Sequence, residues 1–155
     1  MAERLTTGYF CLPQDEWRRN PYGVFTRKEV DVSLYEKDAF ANVVRYRKPI
    51  SRRPATCEEK YGIVLQDPNI LLALLRSSKH DLWSMGLFIL THELAHIVRF
   101  RKFGVDFFAA PEEAGTEERI VHDITREILA GVTNTDYIIN LYQHQLDGMT
   151  VKKPS

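Results

Sequence analysis

The sequence predicts an α+β fold, mostly helical, in which a small β-sheet packs beside one long buried helix. Three observations predict it. The apolar run from Leu82 to Phe103 is far too long for a strand; Pro111 to Ala130 carries Ile120, Val121, Ile124 and Ile128 at helical spacing; and Tyr61-Gly-Ile-Val-Leu-Gln66 is a short β-rich run closed by Asp67-Pro68-Asn69. The 155 residues fit one domain over 1–150, followed by a short basic tail at 151–155 that is expected to be disordered.

Taken in order, the stretch up to Tyr22 mixes aromatics with Pro13 and Pro21 and reads as an irregular arm packed on the body. Val24 to Thr26 and Val30 to Val32 are candidate short strands. Ser33 followed by Glu36 is a capping-box pattern, and Tyr35, Ala39, Phe40, Val43 and Val44 recur at helical spacing, which predicts a first helix through about Arg47 that Lys48-Pro49 stops. After the strand at Tyr61 to Gln66, Asp67 is placed to cap a helix with Pro68 at its first position, running from Ile70 to Arg76. Asp81 caps the central helix, which is apolar nearly all round before His92 and so should be buried on most sides. Gly104 ends it, and Phe107-Phe108 plug the connection into the core. Beyond Gly131, Thr135 can cap a last helix through Leu146, with Ile138, Leu141 and Tyr142 facing the core.

Composition narrows the function classes. Lysine plus arginine equals aspartate plus glutamate at 21 each, so the whole chain argues for neither a nucleic acid nor an acidic partner. Arg45, Arg47, Lys48, Arg52 and Arg53 form the densest basic cluster, with Tyr46 between them; it could meet phosphates, although a solvated face is the plainer role. Cys11 and Cys57 match no paired spacing and read as reduced thiols. The start lacks a signal-peptide layout and no uncharged run reaches spanning length, so a cytoplasmic protein without membrane contact is expected.

The chemistry concentrates in Thr91-His92-Glu93-Leu94-Ala95-His96-Ile97. On a helix, His92 and His96 lie one turn apart and leave from the same face, and Glu93 projects about 100° round the axis from His92. Two neutral imidazoles at this spacing can hold zinc while the glutamate takes a proton from the water on it. A hydrogen-bonded histidine pair beside a solvated Glu93 is the plainer alternative. It would leave three polar groups inside an apolar helix in need of partners, and a metal supplies one. Zinc then needs a third protein ligand. Glu118 and His122, four apart on the second long helix and sharing a face with Thr125, can supply a ligand and its orienting partner in either order, with Glu117 the third candidate. Arg99 falls on the metal face, where it can pair with a carboxylate, meet a substrate carbonyl or be an ordinary surface residue. Tyr137, Tyr142, His80 and His144 are conceivable transition-state donors, with packing the plainer role.

Thr91 to Ile97, followed by a helix bearing Glu118-Arg119-Ile120-Val121-His122, resembles the zincin metallopeptidases, in particular the glutamate-zincin branch that includes thermolysin. The resemblance covers roughly residues 61 to 130. It implies a zincin-like domain, a third ligand Glu about twenty residues after the second histidine, where Glu118 falls, and an Asp four residues further on that steadies the first histidine. His122 stands there instead. It also implies a strand before the active helix that pairs with extended substrate, which Tyr61 to Gln66 would be. The expected function is zinc-dependent hydrolysis of peptide or protein substrates, with Glu93 assisting attack of zinc-bound water. A zinc-stabilised binding module that contacts nucleic acid or a protein through residues 45–53 is the alternative.

Overall fold

Helix α4 (Leu82–Lys102) is the axis on which the other elements are laid. Its start is fixed by Asp81, whose carboxylate accepts the Ser84 backbone N–H at 2.9 Å, and its end by Gly104, which takes the left-handed conformation at φ 68°. Met85, Leu87, Phe88, Ile89, Leu94, Ile97 and Val98 are buried. The all-round burial expected of this helix fails only in its first turn, where Leu82 and Trp83 are exposed. The computed structural model describes residues 1–50, 53–76, 78, 81–132, 135, 136 and 138–140. Among them it has an α+β architecture, and no helix is long and apolar enough to cross a membrane.

The sheet is mixed, in the order β1 (Gly23–Thr26), β3 (Arg53–Leu65), β2 (Ala41–Ile50). β1 runs parallel to β3 with Val24 opposite Ile63; β2 runs antiparallel with Val43 opposite Ile63 and Arg45 opposite Tyr61. Phe25 lays its ring over Gly62, where a Cβ would come within 2.7 Å of it, so the glycine is needed for that packing. The expected strands at Val24 to Thr26 and Tyr61 to Gln66 are present, the second within a longer strand.

Residues 35–47 are not the helix that their spacing predicts. After a 3-10 turn at Val32–Leu34, which replaces the strand expected at Val30 to Val32, the chain enters β2. Val43, Val44 and Tyr46 are β-prone, and a ten-residue ladder with β3 outweighs a loose i, i+4 pattern. Pro49 fits because β2 is an edge strand among the described residues and its missing N–H can face outward. The capping box forms at Thr26 and Glu29 rather than at Ser33 and Glu36.

The N-terminal stretch also differs from expectation. It forms α1 (Ala2–Tyr9) and the short α2 (Glu16–Arg19) in place of an irregular arm. α1 packs on α4 and α5 (Pro111–Leu129), with the Tyr9 hydroxyl donating to Glu127 at 2.6 Å. Lys102 pairs with the buried Glu16, and Arg101 donates to the Asn20 carbonyl, so the end of α4 ties this stretch down. α3 (Asp67–Arg76) follows β3 as expected, but Asp67 lies inside it and accepts the Arg27 N–H instead of capping it. Phe107 is half-buried against Phe100 and Tyr61, whereas Phe108 is exposed. Asp136 and 138–140 are helical; the rest of the expected last helix, through Leu146, and the tail at 151–155 lie outside the described residues.

Gln66, fully buried where β3 meets α3, joins four segments. Its Oε1 accepts from Arg27 Nε at 2.6 Å, and its Nε2 donates to Asn42 Oδ1 at 2.7 Å and to the Leu34 carbonyl at 3.2 Å. Gln66→Leu leaves those partners unmet and is expected to cost about 2–4 kcal/mol, read as a lower urea midpoint. An unchanged midpoint would mean that water replaces the amide without loss.

Candidate metal centre

His92 and His96 lie on the buried face of α4, one turn apart, with ring centroids 4.9 Å from each other. Glu118 approaches them from α5. Its Oε1 is 2.9 Å from His92 Nε2 and its Oε2 is 3.0 Å from His96 Nε2. The ligand atoms of these three residues lie within 4.8 Å of one another. Donors bound at about 2.0–2.1 Å to a tetrahedral ion stand roughly 3.3 Å apart. The Glu118 separations are close to that.

A neighbour of the trio constrains the proton on the His92 ring. Thr125 Oγ1 gives its single proton to the Val121 carbonyl at 2.7 Å, a bond back along its own helix. Its contact with His92 Nδ1 at 3.3 Å must then run the other way, with Nδ1–H donating to the hydroxyl. In the neutral ring this leaves Nε2 as a lone pair facing a carboxylate. Two such lone-pair atoms at hydrogen-bond distance need a proton or a cation between them. The buried His96 Nδ1 has no hydrogen-bond partner among the described residues, and its ring stacks on Phe100 at 5.7 Å. This donor set of two imidazoles and one carboxylate can hold a divalent cation and leave a position open.

Two carboxyls here are pushed in opposite directions. Burial alone would raise Glu118, but hydrogen bonds from His92 and His96 and the charge on those rings outweigh it and hold the carboxyl far below the ordinary range. Glu93 is only 6 % exposed, and burial pushes it up to about 7, with His92 opposing and Glu118 adding to the rise. No hydrogen bond or ion pair joins Glu93 to another described residue. It lines a cleft of about 440 Å³ together with His92, His96 and Glu118.

Of the residues singled out in the sequence, the structure brings His92, Glu93, His96 and Glu118 to this cleft. His122 lies outside the trio, fully buried with its ring edge-on to Phe88 at 6.4 Å. Glu117 is held by Arg99 in a bidentate pair, 2.8 Å at Nη2 to Oε2, which answers where Arg99 goes. His80, Tyr137, Tyr142 and His144 lie outside the described residues. So does Arg52, while Arg45 and Arg47 reach Glu59 at 3.7 and 3.8 Å and Arg45 also lies over the Phe108 ring.

Ala41, Asn42 and Val43 at the cleft wall are not foreseen from the sequence pattern, because that stretch reads as a helix. The pattern also left the orienting job on the first histidine to position 122. Thr125 does it, seven residues after Glu118 and hence two turns along the same face, a spacing that could have been read in advance. Comparison of the chain with protein families, curated proteins and solved structures gives no match.

Thr125→Val keeps the shape and removes the acceptor for His92 Nδ1–H. Zinc affinity, titrated against a competing chelator, is expected to fall about 10- to 100-fold while the fold persists. Glu93 supplies a pH test on the metal-free protein. A raised carboxyl costs nothing below its unfolded value near 4.5 and its full penalty above about 7. Glu93→Gln is therefore expected to stabilise the protein by roughly 3 kcal/mol more at pH 8 than at pH 4.5 in chemical denaturation. A difference independent of pH would show that the carboxylate is solvated.

Proposed function

We infer that this chain is a zinc-dependent metallopeptidase of the zincin kind, hydrolysing peptide bonds in a peptide or protein substrate. The observation that carries this is Glu118 spanning the Nε2 atoms of both His92 and His96, with Glu93 buried, unpaired among the described residues and facing the same cleft. When bound, zinc supplies a Lewis acid that lowers the pKa of a water and polarises the scissile carbonyl.

The side chains do the rest. His92 and His96 would hold the ion through Nε2, and Thr125 keeps the His92 ring in the matching tautomer. Glu93 takes the proton of the attacking water as the new C–O bond forms, then hands it to the leaving nitrogen as the C–N bond breaks. An ordinary solvated glutamate is a weak base near neutral pH, and burial of Glu93 raises its basicity toward the working range. Phe100, stacked on His96, and Phe107 beside it cover one side of the cleft.

The strand expected to pair with substrate is reassigned. Tyr61 to Leu65 lies in β3, which has β1 on one side and β2 on the other, so its backbone groups are already used. β2 is one of the two edge strands among the described residues, and its Ala41, Asn42 and Val43 line the cleft. An extended substrate segment added to β2 would run past the three ligands.

Elemental analysis of the purified protein beside His92→Ala, Glu118→Ala and His122→Ala tests the ligand set. One zinc per chain is expected in wild type and in His122→Ala, and a large loss in the other two. Glu93→Gln should keep its zinc and lose peptide cleavage by roughly 10²–10⁴-fold. Stoichiometric zinc without cleavage by wild type would instead identify a zinc-stabilised binding module, and wild type without zinc would overturn the metallopeptidase.

A further inference from the structure

Part of the cleft wall is built by the loop that leads into β2, where Glu36 and Asp38 line the cavity beside Ala39. This loop is held by its backbone. Asn69 Nδ2 donates to the carbonyls of Ala39 at 2.7 Å, Lys37 at 3.1 Å and Glu36 at 3.2 Å, and Arg27 Nη2 donates to the Glu36 carbonyl at 2.9 Å. With the main chain fixed this way, the two carboxylates are exposed, and neither joins an ion pair with another described residue.

Charge at the cleft does not balance. Five of its lining residues are carboxylates, and none is a lysine or arginine. Arg99 offsets Glu117 from behind. A divalent ion on His92, His96 and Glu118 would be offset by Glu118 and Glu93 together, which leaves the two charges of Glu36 and Asp38. Those two are not part of a second ion cage, because the one metal-capable trio among the described residues is His92, His96 and Glu118. Glu93, more than nine-tenths buried and joined to no described partner, faces the same cavity and marks it as a place where a ligand sits.

We propose that Glu36 and Asp38 select a substrate with a basic side chain, arginine or lysine, next to the bond at the candidate metal centre. The proposal rests on the peptidase reading for the presence of a substrate. It goes beyond that reading in naming the substrate's charge. An arginine or lysine suits the cavity in a second respect. Its aliphatic stem can lie along Val43 and Phe107 while its charged end reaches the acidic lip.

The test is peptide binding by zinc-loaded Glu93→Gln protein, which cannot consume its ligand. The probes are a labelled Gly-Ser-Ala decapeptide carrying three arginines and the same peptide with citrulline at those positions, followed by fluorescence anisotropy. The arginine peptide is expected to bind about fivefold more tightly, as two exposed ion pairs allow. That preference should shrink as salt is raised. Adding Glu36→Gln and Asp38→Asn should abolish it while zinc content stays the same. Equal affinities, no binding of either peptide, or a preference that survives in the double variant would overturn the proposal. Peptide cleavage by wild type is measured separately, so a protein that prefers arginine but does not cleave would fail as a peptidase and still carry this selective lip.

Discussion

Two imidazole nitrogens and a carboxylate crowd into a space of less than 5 Å, and His92 Nε2 in the neutral ring presents a lone pair to the carboxylate. Such a group is unfavourable unless a positive charge occupies its centre. A divalent ion held there would supply it, with an affinity that rises with pH as the rings lose their protons. Much else in the structure serves to hold this arrangement: the cap at Asp81 that starts α4, the pairing of Arg99 with Glu117 that docks α5, and Thr125, which sets the His92 tautomer.

The same arrangement carries a cost in stability. Glu93 is buried without a described partner, and much of the α4 to α5 contact is polar, where apolar residues would pack as well. The helices are held instead by Leu94, Ile97, Val121 and Leu129, all fully buried, and by α1 lying across both. The candidate site therefore occupies core positions, and the surrounding apolar contacts offset the loss.

Legibility in the sequence follows from how local each signal is. The ends of α4 were readable because Asp81 and Gly104 act within one turn of themselves, and His92, Glu93 and His96 share a helix face by spacing alone. Residues 35–47 were misread because their partner is β3, a long-range pairing that no local pattern contains. The N-terminal helices were missed for a related reason. α1 is only eight residues long and α2 only four, too short for their spacing to stand out beside Pro13 and Pro21, and contacts of α1 with α4 and α5 and the Lys102–Glu16 pair hold them. Glu118 could be ranked against His122 from the sequence but not separated from it, since they differ by one turn. Helix α5 meets α4 with Glu118 toward the two rings and His122 toward Phe88.

The pair between Arg99 and Glu117 also bears on how the two long helices find their alignment. Sliding α5 by one turn along α4, about 5.4 Å, so that Val121 takes the place of Glu117, would strand a guanidinium and a carboxylate in apolar surroundings. Apolar residues alone tolerate such slippage, because one aliphatic side chain replaces another at little cost. A guanidinium fork that needs a carboxylate opposite it does not tolerate that shift. It acts as a registration pin, and the neighbouring residue, Glu118, is delivered to the histidines as a by-product of that alignment.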